Sequence, residues 1–141
     1  MIKFNPVVGT DEERCVSVTH KGTICIIDDD DDVRASSRLF LEALGFTVED
    51  FANAESFLKR PPQRQAADCF ILDYHLTGMS GLDLLELLRE RGDKTPAIIM
   101  TANGKHLALR AGRAGVIAIL RKPLAAESLS HWLERIFAGK K

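Results

Sequence analysis

The chain has 141 residues, about one domain at the usual ~100–200 residues per domain, and can bury a core without disulfide or metal staples. Apolar residues at 45% and charged residues at 28% exclude a disordered chain, and no apolar run approaches the ~20 residues of a membrane span. The net charge of −1 conceals an asymmetry, with 18 acids and 11 bases in residues 1–100 and 2 acids and 8 bases in residues 101–141. The bases are not interleaved with aromatics, so direct nucleic-acid binding is not expected. Three cysteines, an odd number without CxxC spacing, argue against a disulfide scaffold and a structural zinc, and for the reducing cytoplasm. Cys15 reads as an exposed thiol, whereas Cys25 and Cys69 sit inside apolar runs. Residues 1–14 hold no apolar stretch of a secretion signal.

Residues 1–22 follow neither the strand nor the helix period and read as a flexible leader, with Pro6, Gly9 and Gly22 as breakers. Thr23-Ile24-Cys25-Ile26-Ile27 is the short β-branched run of a strand buried on both faces. Val33, Ser37, Phe40, Leu41 and Leu44 recur at helical spacing until Gly45. Thr47–Phe51 suits a strand nearer an edge, and Asn53 caps a short helix with Phe57 and Leu58 that Pro61-Pro62 ends. Cys69–Leu72 is a third strand, and Leu82–Arg91 a helix with Leu84, Leu85 and Leu88 on one stripe. Ala97–Met100 is the fourth strand, Lys105–Arg113 a helix weakened by Gly112, Val116–Leu120 the fifth strand, and Ala126–Phe137 a last helix burying Leu129, Leu133 and Ile136. Five strands alternating with five helices predict parallel pairing and a doubly wound α/β sheet over residues 23–138, with 139–141 as a tail.

The apolar runs stop at informative residues. The first ends in Asp28-Asp29, the third in Asp73, the fourth in Thr101, and the fifth leads through Arg121 to Lys122. In a parallel sheet these strand ends share one edge, where ligands bind at the reversal of strand order. Clustered carboxylates favour an oxygen-liganded cation such as Mg²⁺ or Ca²⁺, and a lysine and a hydroxyl beside them favour a phosphoryl group. Each residue also has a bland role. Asp30, Asp31 and Asp32 suit a helix-capping turn, Asp73 and Thr101 could be strand-end turn formers, and Lys122 a surface lysine. An EF-hand starting at Asp28 would need Gly at Val33 and Glu at Leu39, and no Walker A or GxGxxG sequence exists. A haloacid-dehalogenase-type phosphatase remains as an alternative, with Asp29 as nucleophile in Asp29-x-Asp31-x-Val33 and Thr101 and Lys122 as later partners. That alternative leaves Asp73 unexplained and lacks an acidic pair after Lys122.

Asp28-Asp29, Asp73, Thr101-Ala102 and Lys122-Pro123 together resemble the receiver domain of two-component response regulators, over residues 22–138. The nitrogen-fixation-regulator type is the nearest, through Ala54-Glu55-Ser56-Phe57-Leu58 and Met79-Ser80-Gly81-Leu82. The resemblance implies a flavodoxin-like strand order 2-1-3-4-5. It implies Asp73 as phosphoacceptor, Asp29 as a direct Mg²⁺ ligand and Asp28 as a ligand through a metal-bound water. The His75 backbone carbonyl completes the implied ligand set, with Lys122 and Thr101 on the phosphoryl oxygens. A sensor histidine kinase or phosphotransfer protein would donate from phosphohistidine. The implied chain is a cytoplasmic signalling domain, without membrane contact, that promotes its own aspartyl phosphorylation and dephosphorylation.

Three features depart from the family pattern. Thr77 stands where proline is usual, the Thr101–Lys122 segment is one residue shorter than typical, and Ile119 replaces the usual aromatic switch residue. Isoleucine is stiff and short, which predicts either weak coupling to the face of the fourth helix, fifth strand and last helix or output carried mainly by the Ala102–His106 loop and the fourth helix, unless Ile119 is plain core. Only four residues follow Phe137, so the expectation is a stand-alone receiver or the front of a longer regulator. Trp132 and His131 beside the buried stripe of the last helix offer a homodimer face, although core filling is the commoner role of a helical tryptophan.

Overall fold

The computed structural model describes residues 21–61 and 66–138. The leader expected over 1–22, except Lys21 and Gly22, the tail over 139–141, Cys15 and Pro62 lie outside the described residues. The elements are β1 (Thr23–Ile27), α1 (Asp31–Ala43), β2 (Thr47–Phe51), α2 (Ala54–Leu58), β3 (Cys69–Asp73) and α3 (Gly81–Glu90). They continue with β4 (Ala97–Thr101), a 3₁₀ turn (Lys105–Leu107) leading into α4 (Ala108–Arg113), β5 (Val116–Arg121) and α5 (Ala126–Phe137). All strand pairs are parallel, in the order β2-β1-β3-β4-β5. This is the doubly wound, flavodoxin-like arrangement expected.

The strand runs differ because their places in the sheet differ. Every residue of β3 and β4 is buried, and so are the last four of β1, as uninterrupted apolar sequences require. β2 and β5 lie at the edges and keep solvent-facing positions, Ile117 on β5 being 43% exposed. Ala97 pairs with Val116 but Ile98 with Ala118, so Ile117 is the extra residue of a bulge. Leu82, Leu84, Leu85 and Leu88 of α3, Ala54 and Phe57 of α2, and Leu107 fill one side of the sheet. Leu41 of α1 and Leu129 and Leu133 of α5 fill the other, with Trp132 and Ile136 packed partly against them. Trp132 therefore acts in part as core filler, with His131 5.2 Å from its ring.

Helix starts follow their caps. Asp30 accepts from the backbone N–H groups of Asp32 and Val33, with Asp31 and Asp32 in the first turn, so this acidic run does serve the dipole of α1. Asn53 accepts from Ser56 N–H, and Ser80 and Asp83 close a reciprocal capping box on α3. Gly45 takes a φ of +103° just past α1, a conformation that disfavours any Cβ. The expected helix over Lys105–Arg113 forms only from Ala108, after a 3₁₀ turn, and no side chain caps either piece. Both Cys25 and Cys69 are buried and outside any disulfide, and burial, opposed by Arg60, pushes the Cys25 thiol up to about 11.

The five-residue α2 is too short to persist alone, so packing must hold it. Phe57, fully buried, meets Phe51 and Phe70 edge-to-face, with ring centroids 5.5 and 5.4 Å away. Phe57→Ala is therefore expected to cost roughly 3–5 kcal/mol. Urea unfolding checks this; a cost below ~1.5 kcal/mol would show that neighbouring rings collapse into the gap.

Candidate functional site

The parallel sheet brings the ends of β1, β3, β4 and β5 to one edge, where Asp28, Asp29, Asp73 and Lys122 meet and Thr101 lies nearby. Asp28 follows β1 directly. Its N–H donates to Phe51 O (3.1 Å), its carbonyl accepts from Arg34 Nη1 (2.7 Å), and its Oδ1 accepts from Asp30 N–H (2.9 Å). Sequence reading had not assigned Arg34 to this site; the carbonyl it brackets belongs to the turn that presents Asp28 and Asp29. Arg34 also pairs with Asp31 at 2.6 Å.

Asp73 closes β3. Its Oδ1 accepts from His75 N–H at 3.1 Å, and the next residue, Tyr74, is tied to β4 by its N–H to Met100 O (2.8 Å). Gly81, the first residue of α3, donates to Tyr74 O at 3.0 Å and lies so near β3 that a Cβ there would run into the Asp73 carbonyl oxygen. Glycine at this position lets α3 start directly against the strand end.

Lys122 is delivered by β5, its N–H donating to Thr101 O at 2.9 Å as the strand pairing runs out. The Lys122–Pro123 peptide is cis. Lys122 Nζ lies 3.0 Å from Asp73 Oδ2 and 3.5 Å from Asp28 Oδ2. Burial works against this ammonium, but the hydrogen bond and attraction of Asp73, then those of Asp28, win and hold it above its ordinary value. Asp28 is pushed up from the usual carboxylate range, first by complete burial and then by repulsion from Asp73, against the stabilising Asp30 N–H.

Asp29 is exposed at the mouth, and Asp28, Asp29 and Asp73 each offer an oxygen within 4.8 Å of the others. Three carboxylates in such a group suit a hard cation with oxygen ligands, as Mg²⁺ is. The side chain of His75 is exposed, in ring contact with Tyr74 at 4.9 Å. Thr101 is buried, and its hydroxyl exchanges 3.3 Å hydrogen bonds with the Asn103 backbone, so it is near the edge but turned to its own loop. Ile119 is partly buried beside it. A Cβ on Gly104 would stand 2.7 Å from Ile119 Cγ2, and both residues line an open cavity of about 480 Å³ with Thr101 and Lys105.

The bases of the last third are partly spent in this arrangement: Lys122 on the acid cluster and Arg110 on Asp83 and Glu86. The ion pairs of Lys122 run to Asp28 and Asp73, and none to Asp29 is found among the described residues. Among the described residues no helix is long and apolar enough to cross a membrane.

Comparison with known proteins agrees with this geometry. A family model, the response regulator receiver domain, matches residues 24–134. The transcriptional regulatory protein FixJ of Bradyrhizobium diazoefficiens is 33% identical over 118 residues, 83% of this chain and 57% of that protein. The response regulator protein TodT of Pseudomonas putida is 36% identical over 107 residues, 75% of this chain and 47% of that protein. The chain thus spans about half the length of these curated relatives. The crystal structure of a response regulator receiver protein from Pseudoalteromonas atlantica superposes with a TM-score of 0.76 at 33% identity, covering 84% of this chain and 99% of that one. The phosphatase alternative through Asp29 finds no support in these matches. A family match that spans nearly the whole described sheet, together with this relatedness, makes the chain a member of the response regulator receiver domains of two-component systems.

Proposed function

We propose that Asp73 is the phosphoacceptor of this receiver domain and that phosphohistidine of a sensor histidine kinase or phosphotransfer protein is the donor, in the cytoplasm. The observation that carries this reading is the 3.0 Å pair between Lys122 Nζ and Asp73 Oδ2, at the strand-end edge where a phosphoryl group would arrive. A carboxylate oxygen of Asp73 attacks phosphorus in line. A P–O bond forms, the P–N bond breaks, and its electron pair returns to the donor imidazole. Lys122 follows the oxygens of the transferred group and offsets their charge. Thr101 turns its hydroxyl from Asn103 to a phosphoryl oxygen once Asp73 is modified. Asp28, Asp29 and Asp73, with the His75 backbone carbonyl, are the residues that would hold Mg²⁺, which supplies charge neutralisation for the transferred oxygens. The same groups serve hydrolysis of the acyl phosphate, so the domain promotes both its phosphorylation and its dephosphorylation.

With isoleucine at 119, the response is carried by the Ala102–His106 loop and α4 more than by β5. Self-association through the exposed part of α5 is a further element of the reading, and no direct nucleic-acid contact is assigned to these residues.

Incubation with phosphoramidate and Mg²⁺ should add one phosphate by intact mass, and Asp73→Asn should abolish the gain. Uptake that survives in Asp73→Asn and vanishes in Asp29→Asn would overturn the assignment in favour of a phosphatase nucleophile.

Metal dependence of stability gives a second test. The folded state crowds three carboxylates around one ammonium, so a cation that binds only the folded state raises Tm by mass action. At Mg²⁺ tenfold above Kd the gain is about 1.4 kcal/mol, or roughly 4–6 °C for a domain of this size. Because its carboxyl is pushed up in the folded state, Asp28 destabilises the fold increasingly as pH rises above the unfolded value of about 3.9. Asp28→Asn keeps the acceptor for Asp30 N–H, so it should raise the metal-free Tm at pH 7 while diminishing the Mg²⁺ gain. Thermal melts with and without Mg²⁺ check both signs, and a wild-type Tm indifferent to Mg²⁺ would count against the metal site.

A further inference from the structure

α4 has little apolar anchorage. It has six residues, follows a 3₁₀ turn, and buries only Ala111, with Leu107 just ahead of it and Leu109 70% exposed. A helix of this length is not stable by itself. Its polar ties come from α3. Arg110 sets Nε 2.9 Å from Glu86 Oε2 and Nη2 2.8 Å from Glu86 Oε1, a side-on bidentate pair, and Nη2 also bonds Asp83 Oδ1. Just past α4, the Ala114 carbonyl accepts from Arg89 Nε at 2.8 Å, again from α3.

Asp83 is the junction. Its Oδ2 accepts from Ser80 N–H at 3.1 Å while its own N–H donates to Ser80 Oγ at 2.9 Å, closing the loop that follows Asp73. The Ser80 N–H first, and then Arg110, hold its carboxyl below the usual range, so it is ionised at neutral pH. One residue, Leu82, separates Asp83 from Gly81, the residue lodged against the Asp73 carbonyl. A continuous set of contacts thus runs from Asp73 through Gly81 and Asp83 to Arg110.

We propose that Asp83, Glu86 and Arg110 form a clamp that makes α4 follow the loop after Asp73, so that modification of Asp73 reaches α4 through Asp83 and Arg110. This rests on the assignment of Asp73 as phosphoacceptor and names the route by which that site acts on α4. An exposed single pair shifts a local equilibrium only about two- to fivefold, but a bidentate arginine shared by two carboxylates belongs to the stronger end of that range. Coupling requires an element with two arrangements that both sites bias, and a short helix docked on or released from α3 is such an element.

Arg110→Met keeps the aliphatic stem and removes every donor. Asp83→Asn keeps an acceptor for the Ser80 cap and removes the charge that Arg110 meets. In the unmodified protein, amide hydrogen exchange at residues 108–113 should speed roughly fivefold in both variants, with β3 and β4 unchanged as the control for folding. Beryllofluoride with Mg²⁺ should then shift amide resonances at residues 73–75, 101–103 and 108–113 of the wild type. Arg110→Met should keep the first two groups of shifts and lose at least half of the third. If α4 exchange or the α4 shifts match the wild type in Arg110→Met, the clamp is not the route. If the wild type shows no shifts at residues 73–75, the assignment of Asp73 itself fails, and the route fails with it.

Discussion

Like charges gathered at one end of a parallel sheet set the terms for the rest of this molecule. Two carboxylates about 4 Å apart repel by about 4 kcal/mol at an effective dielectric constant of ~20, and Asp28 and Asp73 are both almost wholly buried. The ammonium of Lys122, within 3.0 and 3.5 Å of the two, is the one side-chain cation found paired with both among the described residues. Backbone donors supply the remainder: Asp30 N–H to Asp28 and His75 N–H to Asp73. The negative excess that remains favours a cation, and in the proposed function that cation together with Lys122 would offset the charge of an arriving phosphoryl group.

That balance needs an inflexible floor. β1 and β3 lie side by side within the sheet, paired from Ile24↔Cys69 to Ile27↔Leu72, so the residues that follow them are fixed relative to each other. The two faces of the sheet are filled differently. α2, α3 and the turn before α4 close one side, while α1 and α5 close the other. The first side contains the polar α3–α4 contact, where charge rather than apolar area fixes the neighbours. The second contains the tilted ring pair of Phe46 and Phe137, centroids 5.0 Å apart, and is dominated by burial.

The strand ends were legible in the sequence because each apolar run breaks at a polar residue that chemistry can use. Asp28-Asp29, Asp73, Thr101 and Lys122 announce themselves in that way, and their meeting follows from parallel pairing alone. Asn53 and Asp30 were legible for a similar reason, since caps act within three residues. Contacts that reach beyond a cap's few residues left no such trace. Arg34 reaches a backbone carbonyl, which no residue type advertises, and Arg110 meets residues 24 and 27 positions earlier. The Ser80–Asp83 capping box emerged only with the structure, as did the second use of Asp83. The helix expected over Lys105–Arg113 begins as a 3₁₀ turn, where Gly104 at the N-cap position has no side chain to offer and Asn103 Oδ1 accepts only from Lys105 N–H at 3.3 Å.

The bulge in β5 carries a consequence for which residue stands next to Thr101. Before it, Val116 pairs with Ala97 and faces α3; after it, Ile119 pairs with Ile99 and faces the same way, while Leu120 joins Met100 on the α1–α5 side. Strict alternation from Val116 would have reversed both, because strand side chains change face at every step. The neighbour of the strand-four hydroxyl is thus selected by Ile117, a residue that touches neither face's centre and stands at the rim of the sheet. That neighbour can change without substitution at 119: were Ile117 drawn into regular pairing, the residues after it would slip by one and Leu120 would replace Ile119 beside Thr101, whereas deletion of Ile117 would leave Ile119 opposite Ile99.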